Sequence, residues 1–313
     1  MVNGPEVSVV VSAYNHEKYV GALLKSILGQ TYKDFELVII DDGSTDSTPN
    51  IIEEFANRYS GKMRFSRQEN KGFVKTINSA FKMCRGRYIA PVGSDDIWLP
   101  NKLEEQIKKF NEDPSLSLVY ADINIVNEDG EVLCRFNRFN KPYWGKITDR
   151  LFISNFISAI TPVYKRELFE QYGYWDERYN IASDYEFILR VSPHIKVGYV
   201  NKVLGLYRTH EHSSSTVNIE KTVIEGLDVR KQFLALRPGL IKRGTILRAY
   251  SNVYFRMAEA NVSGGNRKKA IKYYIKACCC NPLFLQGHIG LVLTLMGINY
   301  YKLKQVIKKK LMR

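Results

Sequence analysis

Short apolar runs alternate with amphipathic segments through the first hundred residues of the chain. Four runs have the apolar character of buried strands, over residues 7–12, 35–40, 63–66 and 88–92. Between them, apolar residues recur at helical spacing over residues 17–28, 51–59 and 73–84. Nearly continuous apolar strands are typical of parallel sheets that are buried on both faces. The pattern therefore predicts an α/β fold with a doubly wound, mixed but mostly parallel sheet flanked by helices.

The periodicity weakens after residue 100. Residues 100–110 form an amphipathic helical pattern, and residues 118–126 and 132–136 are predicted to be two strands joined by the turn at 127–130. Residues 137–180 are rich in aromatic side chains but show no periodicity that assigns their elements.

A change of character near residue 217 predicts two domains, an α/β domain over residues 1–216 and an all-helical region over 217–313. Residues 248–262 and 267–280 form a predicted helical hairpin whose small and aromatic positions fall roughly where a tetratricopeptide repeat has them. Such repeats need neighbours to bury their faces, and one unit is visible. A packed helical appendage is therefore favoured over a peptide-binding solenoid.

The end of the chain combines an apolar segment with a basic tail. Residues 289–298 are cleanly apolar, which is well short of the ~20 residues of a spanning helix. The last twelve residues hold six cations and no acid. Two interpretations remain open: a buried helix with a solvated tail, or, slightly favoured, a peripheral anchor on anionic lipid.

Composition and charge indicate which kind of partner the protein binds and in which compartment it is expected. The 313 residues carry a net charge of +14, which indicates an anionic partner. The chain has five cysteines and no CxxC pair, so a reducing cytoplasm is expected. The start of the chain has no charged leader followed by a cleavable apolar segment, which gives the same cytoplasmic expectation. Nucleic-acid binding lacks any recognition motif and is not expected.

Two acidic pairs carry the candidate chemistry. Asp41 and Asp42 follow one predicted strand directly, and Asp95 and Asp96 follow another. Ligands of open α/β sheets bind outside the carboxyl ends of the strands, so both pairs are expected in one crevice. Paired carboxylates repel each other unless a positive charge lies between them. A divalent cation that carries a diphosphate fits this requirement.

Four motifs in order extend this hypothesis: 9–15 (VVVSAYN), 37–46 (LVIIDDGSTD), 70–72 (NKG) and 86–96 (GRYIAPVGSDD). Each is common alone, but together they resemble the family 2 glycosyltransferases of bacterial cell-surface polysaccharide synthesis. The resemblance covers residues 7 to about 215. It implies the GT-A fold, a nucleotide-sugar donor and Mg²⁺ or Mn²⁺ as cofactor.

The resemblance also implies roles for single residues around the donor. Ser12 and Tyr14 would lie against the base and ribose, where an aromatic face suits stacking. Asp42 would accept a hydrogen bond from the imide N–H of uracil, although a turn aspartate is the alternative. Asp95 would contact ribose or sugar, and Asp96 would bind the metal; an N-cap pair explains only one of the two.

Three further positions have roles near the phosphates. His210, in the segment Tyr207–His210, is a candidate metal ligand or phosphate contact, although a lone histidine is as often structural. Arg208 would pair with the diphosphate, since a guanidinium matches phosphate bidentately. Many relatives carry an arginine where this chain has Ile77, and Lys75 is expected to supply the missing charge.

Asp184 matches the aspartate that serves as the base in inverting members of the family. The glutamate expected before it is Ser183, which is a departure from the family pattern. Helix capping is the alternative role of Asp184, and Glu186 is a second candidate base, turned to another direction by helical spacing.

The resemblance thus implies an inverting, metal-dependent transfer of a sugar from a UDP-sugar to a hydroxyl. The acceptor would be a glycan or a lipid-linked glycan at the cytoplasmic face of the inner membrane, recognised by the aromatic region 137–180. A nucleotidyltransferase is disfavoured because the first loop has no Gly-rich phosphate motif. The alternative from another class is a non-catalytic nucleotide-binding or membrane scaffold, which would show no turnover.

Overall fold

The computed structural model describes residues 4–138, 140–211 and 219–298. The chain divides into two compact units. The first, which we call the sheet unit, comprises Met1–Ile147 and Phe156–Ser213, and the second, the helical unit, comprises Thr148–Asn155 and Ser214–Arg313. The predicted domain boundary at residues 216 and 217 and the basic tail at 302–313 lie outside the described residues.

The sheet unit contains nine strands within the described residues. They are β1 (Val7–Ala13), β2 (Phe35–Asp41), β3 (Met63–Arg67), β4 (Tyr88–Gly93), β5 (Ile97–Trp98), β6 (Leu118–Val126), β7 (Val132–Arg135), β8 (Val163–Lys165) and β9 (Val197–Arg208). Its helices are α1 (Val20–Leu28), α2 (Thr48–Arg58), α3 (Phe73–Lys82), α4 (Lys102–Glu112), α6 (Glu167–Tyr172) and α7 (Ser183–Val191).

The strands form one mixed sheet in the order β3-β2-β1-β4-β8-β6-β9-β5, with β7 paired to β6. Strands β1 to β4 are mutually parallel, and β6 and β9 run in the same direction. Strands β5, β7 and β8 run the opposite way. The predicted mixed, mostly parallel α/β fold is confirmed, and so is the predicted pair of strands at 118–126 and 132–136.

Strands β1 and β2 could be predicted from the sequence because both of their faces are buried. All seven residues of each strand are buried. One face packs on apolar side chains of α1, among them Val20, Leu23 and Ile27, which have no exposed surface. Complete burial of a residue of this size is worth about 1.5–3 kcal/mol, so this packing fixes the central strands in place.

The register of the central strands brings their carboxyl ends to one edge of the sheet. Ala13 at the end of β1 is level with Asp41 at the end of β2, and Ser12 is level with Gly93 at the end of β4. The loops that follow these three strands therefore lie side by side, as expected for the ligand crevice of an open α/β sheet.

The helical unit contains five helices within its described residues: α5 (Thr148–Ile153), α8 (Ile219–Leu236), α9 (Arg243–Ser263), α10 (Arg267–Cys280) and α11 (Leu285–Leu295). Helices α9 to α11 pack around Phe255, Ala258, Tyr274 and Ala277. Gly290 of α11 allows a close approach, since a Cβ at this position would lie 2.4 Å from the ring of Tyr274.

The sequence predicted an apolar segment too short to span a membrane and cysteines in a reducing environment. Among the residues that the structure describes, no helix has the length and apolar character needed to cross a membrane. All five cysteines carry free thiols. Whether the end of the chain binds lipid stays a prediction.

Candidate functional site

The loops that follow β1 and β2 are tied together by short polar side chains. The backbone N–H of Asn15, which has a φ of 51°, donates to Ser44 Oγ at 2.9 Å, and Thr45 N–H donates to Asn15 Oδ1 at 2.8 Å. His16 N–H donates to Thr48 Oγ1 at 2.8 Å. Asparagine tolerates this left-handed backbone better than most residues. The two loops therefore form one cross-linked rim above the sheet edge.

The turn after β4 presents two carboxylates at the same edge. A Cβ at Gly93 would lie 2.8 Å from a carboxylate oxygen of Asp95 and 2.8 Å from one of Asp96. A side chain at position 93 would crowd both carboxylates, and glycine avoids this contact. The sequence Gly-Ser-Asp-Asp thus places both acids against their own backbone.

Asp95 lies in a group with two histidines. Its Oδ2 is 3.1 Å from His210 Nε2, and one potential ligand atom each of His16, Asp95 and His210 lie within 4.8 Å of one another. His210 is buried and stacks on Tyr19 at a centroid separation of 5.1 Å. We call His16, Asp95 and His210 the metal-type cluster.

The potential ligand atoms of this cluster suit a divalent cation. A carboxylate and imidazole nitrogens are common protein ligands, provided that the imidazoles are neutral. Burial lowers the pKa of His16, an effect that the charge of Asp95 opposes and that of His210 reinforces. His16 is therefore neutral near pH 7, the form that coordinates metal.

Asp96, the predicted metal ligand, has different contacts. Its side chain is buried, and Oδ1 accepts a hydrogen bond from the backbone N–H of Arg208 at 3.0 Å. Burial, followed by the charge of Asp95, raises the pKa of Asp96 well above its ordinary value. The structure thus places Asp95, rather than Asp96, in the metal-type cluster, and metal binding by Asp96 stays a prediction.

Arg208 holds the turn after β4 against neighbouring backbone. Its Nε donates to the Asp95 carbonyl at 3.0 Å, and Nη1 donates to the carbonyl of Glu128. The guanidinium also lies over the Tyr19 ring at 5.2 Å, and Tyr19 Oη donates to Glu128 Oε1 at 2.8 Å. These contacts give Arg208 a structural task that the sequence did not predict. Its pairing with a diphosphate stays a prediction.

Asp42 organises the loop that precedes α3. Its carboxylate accepts hydrogen bonds from Gln68 Nε2 at 2.8 Å and from the backbone N–H groups of Lys71 and Gly72 at 2.9 Å each. The side chain is 2% exposed. A carboxylate has about four acceptor sites, so three are already used. The predicted hydrogen bond to uracil remains untested.

The other predicted donor residues lie around this rim. Ser12 is buried beside the end of β4, whereas Tyr14 is 45% exposed at the tip of the first loop. An exposed ring at this position is available for stacking on a base. Lys75 is exposed on the first turn of α3. Among the described residues, no hydrogen bond or ion pair joins Lys75 to the metal-type cluster.

Asp184 lies in the first turn of α7. Loss of water around its carboxyl raises the pKa of Asp184 to about 6, an effect opposed by hydrogen bonds from the backbone N–H groups of Tyr185 and of Asp184 itself. Asn78 of α3 fixes the segment before α7, since its amide donates to the Trp175 carbonyl at 2.9 Å and accepts from Trp175 N–H at 3.1 Å. A carboxyl with a pKa near neutrality is suited to proton transfer.

Glu186, the second candidate base, is held in an ion pair. Its Oε1 lies 2.8 Å from Arg190 Nε, one helical turn further along α7. The guanidinium donates to both carboxylate oxygens of Glu186 and so occupies this side chain. This contact favours Asp184 over Glu186 as the proton acceptor.

Three residues of this region were missed by sequence reasoning: His16, Tyr19 and Glu128. His16 directly follows the motif Val9–Asn15, and a histidine beside a predicted site loop is a candidate metal ligand. Tyr19 and Glu128 meet across more than a hundred residues. Contacts of that range leave no periodic mark in a single sequence.

Comparisons with known proteins identify the family of the chain. The family model described as glycosyl transferase family 2 matches residues 8–173. The chain is 32% identical over 231 residues to chondroitin synthase of Escherichia coli, which covers 73% of this chain and 31% of that protein. It is 28% identical over 242 residues to hyaluronan synthase of Pasteurella multocida, covering 77% and 24%. The chain thus spans about a third or less of these relatives.

Two solved structures share the fold. A complex of TarS residues 1–349 from S. aureus with UDP-GlcNAc superposes with a TM-score of 0.60 at 20% identity, covering 94% of this chain and 93% of that one. The mannosyltransferase PcManGT of Pyrobaculum calidifontis, in complex with GDP-Man and Mn²⁺, superposes with a TM-score of 0.64 at 18% identity, covering 99% and 85%. At this identity the likeness shows the fold.

Proposed function

The chain belongs to glycosyl transferase family 2, and from that premise we propose that it transfers a sugar from a UDP-sugar to an acceptor hydroxyl with inversion at the anomeric carbon. The observation that carries the proposal is the metal-type cluster at the carboxyl ends of β1 and β4. It lies beside a rim that offers an exposed aromatic ring at Tyr14 and a structured loop around Asp42.

The donor nucleotide would bind along this rim. Tyr14 would stack on the base, Ser12 would lie near the ribose, and Lys75 would add positive charge near the phosphates. The TarS complex with UDP-GlcNAc supports a uridine nucleotide, since that protein shares the fold of this chain.

Asp95 and His210 would hold the divalent cation. The mannosyltransferase complex with Mn²⁺ supports a metal in this fold. When bound, such a cation neutralises negative charge that develops on the leaving diphosphate. Asp96 would keep the turn in place through the N–H of Arg208.

Asp184 would act as the general base. With a pKa of about 6 it is ionised at pH 7 yet still basic enough to accept a proton. The acceptor oxygen forms a bond to the anomeric carbon while the bond from that carbon to the diphosphate oxygen breaks. The acceptor proton passes to the Asp184 carboxylate, and UDP leaves with the bonding electrons.

The acceptor would be a growing glycan or a lipid-linked glycan of a surface polysaccharide. Relatives named as chondroitin and hyaluronan synthases support a polysaccharide product. The net charge of +14 supports an anionic partner, such as the diphosphate of a lipid carrier or an acidic membrane. The cytoplasmic face of the inner membrane would be the site of action.

Donor hydrolysis tests the proposal. The purified 313-residue chain is incubated with UDP-GlcNAc, other UDP-sugars and GDP-Man, with Mn²⁺, with Mg²⁺ and with chelator, and nucleoside diphosphate release is measured. We expect slow release from one UDP-sugar that chelator abolishes and that Asp184→Asn reduces at least tenfold. Asp113→Asn is the matched control, because Asp113 forms an ion pair with Lys196 at the surface, 2.7 Å away.

The scaffold alternative predicts a different result. It requires no release from any donor and no metal-dependent UDP binding in calorimetry. Full transfer by Asp184→Asn would instead remove Asp184 from the mechanism and leave the donor assignment standing.

A further inference from the structure

His16 lies in the metal-type cluster but has no role in the donor-binding scheme above. It follows the motif Val9–Asn15 on the loop after β1, whereas Asp95 and His210 come from the ends of β4 and β9. Three separate elements thus converge on one point. A histidine that served only to close its loop would not need ring atoms within ligand distance of Asp95.

The His16 ring is held on three sides. Its Nδ1 lies 2.6 Å from Ser94 Oγ, and its backbone N–H is bonded to Thr48. The ring also packs edge-on against Tyr19 and His210, with centroid separations of 5.9 Å in both cases. These contacts with protein groups fix the orientation of the imidazole.

The contact with Ser94 decides which nitrogen is available. When Nδ1–H donates to Ser94 Oγ, Nε2 keeps its lone pair. Metal-bound histidines almost always donate their other ring N–H in this way, which fixes the tautomer and the ring plane. Ser94 is buried, so this hydrogen bond is protected from water.

We propose that His16 is a third protein ligand, so that the cation is bound by a two-histidine, one-carboxylate set that favours a first-row transition-metal ion over Mg²⁺. The inference rests on the proposed function in taking a divalent cation to bind here. Mg²⁺ prefers oxygen ligands and keeps most of its waters, whereas imidazole nitrogen suits transition-metal ions. A carboxylate with two imidazoles therefore discriminates against Mg²⁺. Ser94 acts as a positioning residue for the His16 ring.

The number of coordinated imidazoles is the direct test. Mn²⁺ is added with UDP to the 313-residue chain, and pulsed electron paramagnetic resonance counts the nitrogens coupled to the ion. We expect two histidines in the wild type, one in His16→Asn and one in His210→Asn. His288→Asn is the matched control, because His288 is an exposed histidine of the helical unit, and two are expected to remain.

Competition provides the second readout. The concentration of Mg²⁺ that displaces half of the bound Mn²⁺ is measured for the same variants. Loss of a ligand typically weakens metal affinity by at least the 10–100-fold seen when its hydrogen-bond partner is removed. We expect His16→Asn to lose about tenfold or more of its preference for Mn²⁺ over Mg²⁺, with Ser94→Ala changing it in the same direction by less.

The histidine counts distinguish failure of the His16 assignment from failure of the proposed function. One histidine in the wild type, lost only in His210→Asn, overturns the role of His16 and leaves the proposed function intact. An unchanged count in His16→Asn has the same meaning. No coordinated nitrogen in any variant, with Mn²⁺ binding also unaffected by Asp95→Asn, removes the metal from this cluster and counts against the proposed function itself.

Discussion

Replacing Asp184 with asparagine is expected to abolish transfer and at the same time to stabilise the fold above pH 6. The pKa of Asp184 rises from its usual value near 3.8 to about 6, because the carboxyl is desolvated in the native state. Between those two values the native state binds the proton more tightly than the unfolded state does. Raising the pH through this window therefore costs the native state free energy, since the desolvated carboxyl must ionise.

The magnitude follows from the size of the shift. A rise of roughly two pKa units corresponds to about 3 kcal/mol, which is the most that ionisation of Asp184 can cost at pH 7.5. An asparagine side chain is nearly isosteric with aspartate and uncharged, so Asp184→Asn would recover most of this cost. For a unit of this size, 1 kcal/mol moves the melting temperature by roughly 2–4 °C. The variant should equal the wild type near pH 4 and melt several degrees higher at pH 7.5.

Thermal unfolding of both proteins between pH 4 and 8 is the assay. Asp113→Asn is the control of opposite sign: hydrogen bonds from Lys196 and Ser115 lower the pKa of Asp113 to about 2. The stability that ionised Asp113 contributes is gained below about pH 4, between its native and unfolded pKa values. The Asp113→Asn variant should therefore be less stable than the wild type by an amount that stays nearly constant between pH 4 and 8. A difference between Asp184→Asn and wild type that does not grow with pH would refute the reasoning. In the wild type, the transfer rate should rise through a limb near pH 6.

Three further perturbations separate binding from folding. Tyr14→Ala should weaken UDP binding about tenfold in calorimetry, the value of one aromatic stack, at an unchanged melting temperature; equal affinity would remove Tyr14 from the base site. Gly43→Ala should destabilise the sheet unit by about 1–3 kcal/mol in urea unfolding, because φ is +78° and the new Cβ would lie 2.8 Å from Asn70 N. Gly290→Ala should destabilise the helical unit by a similar amount, through contact with Tyr274. It should leave UDP affinity within about twofold, and a larger loss would contradict separate units.

The central strands were predictable from the sequence because both of their faces are buried. The apolar runs of β1 and β2 are nearly continuous, so the sequence pattern predicts both strands. Because the two strands are parallel and in register, Asp41 at the end of β2 lies level with Ala13 at the end of β1. Strand β8, with three residues, is too short to show any alternation, so residues 137–180 stayed unassigned. Its place between β4 and β6 depends on pairing across the chain.

The sequence motifs predicted which segments form the site, but not the contacts between their side chains. The sequence indicated Asp95 and His210 at the rim, and the structure joins them at 3.1 Å. The sequence assigned the metal to Asp96 and the ribose or sugar to Asp95, whereas the structure places Asp95 in the metal-type cluster. Which contact each of two adjacent acids makes depends on the folded turn. The partners of Arg208 also depend on the fold of a distant turn, which a single sequence does not reveal.

The cross-linked rim of the loops after β1 and β2 has a thermodynamic consequence. Its hydrogen bonds, such as those from Asn15 to Ser44 and from His16 to Thr48, are made within the protein and order both loops. Fixing the backbone costs roughly 1–2 kcal/mol per residue, and here that entropy is lost during folding instead of during binding. Donor association should therefore proceed with a heat-capacity change set by the ligand's own buried surface, without the larger change that accompanies coupled folding.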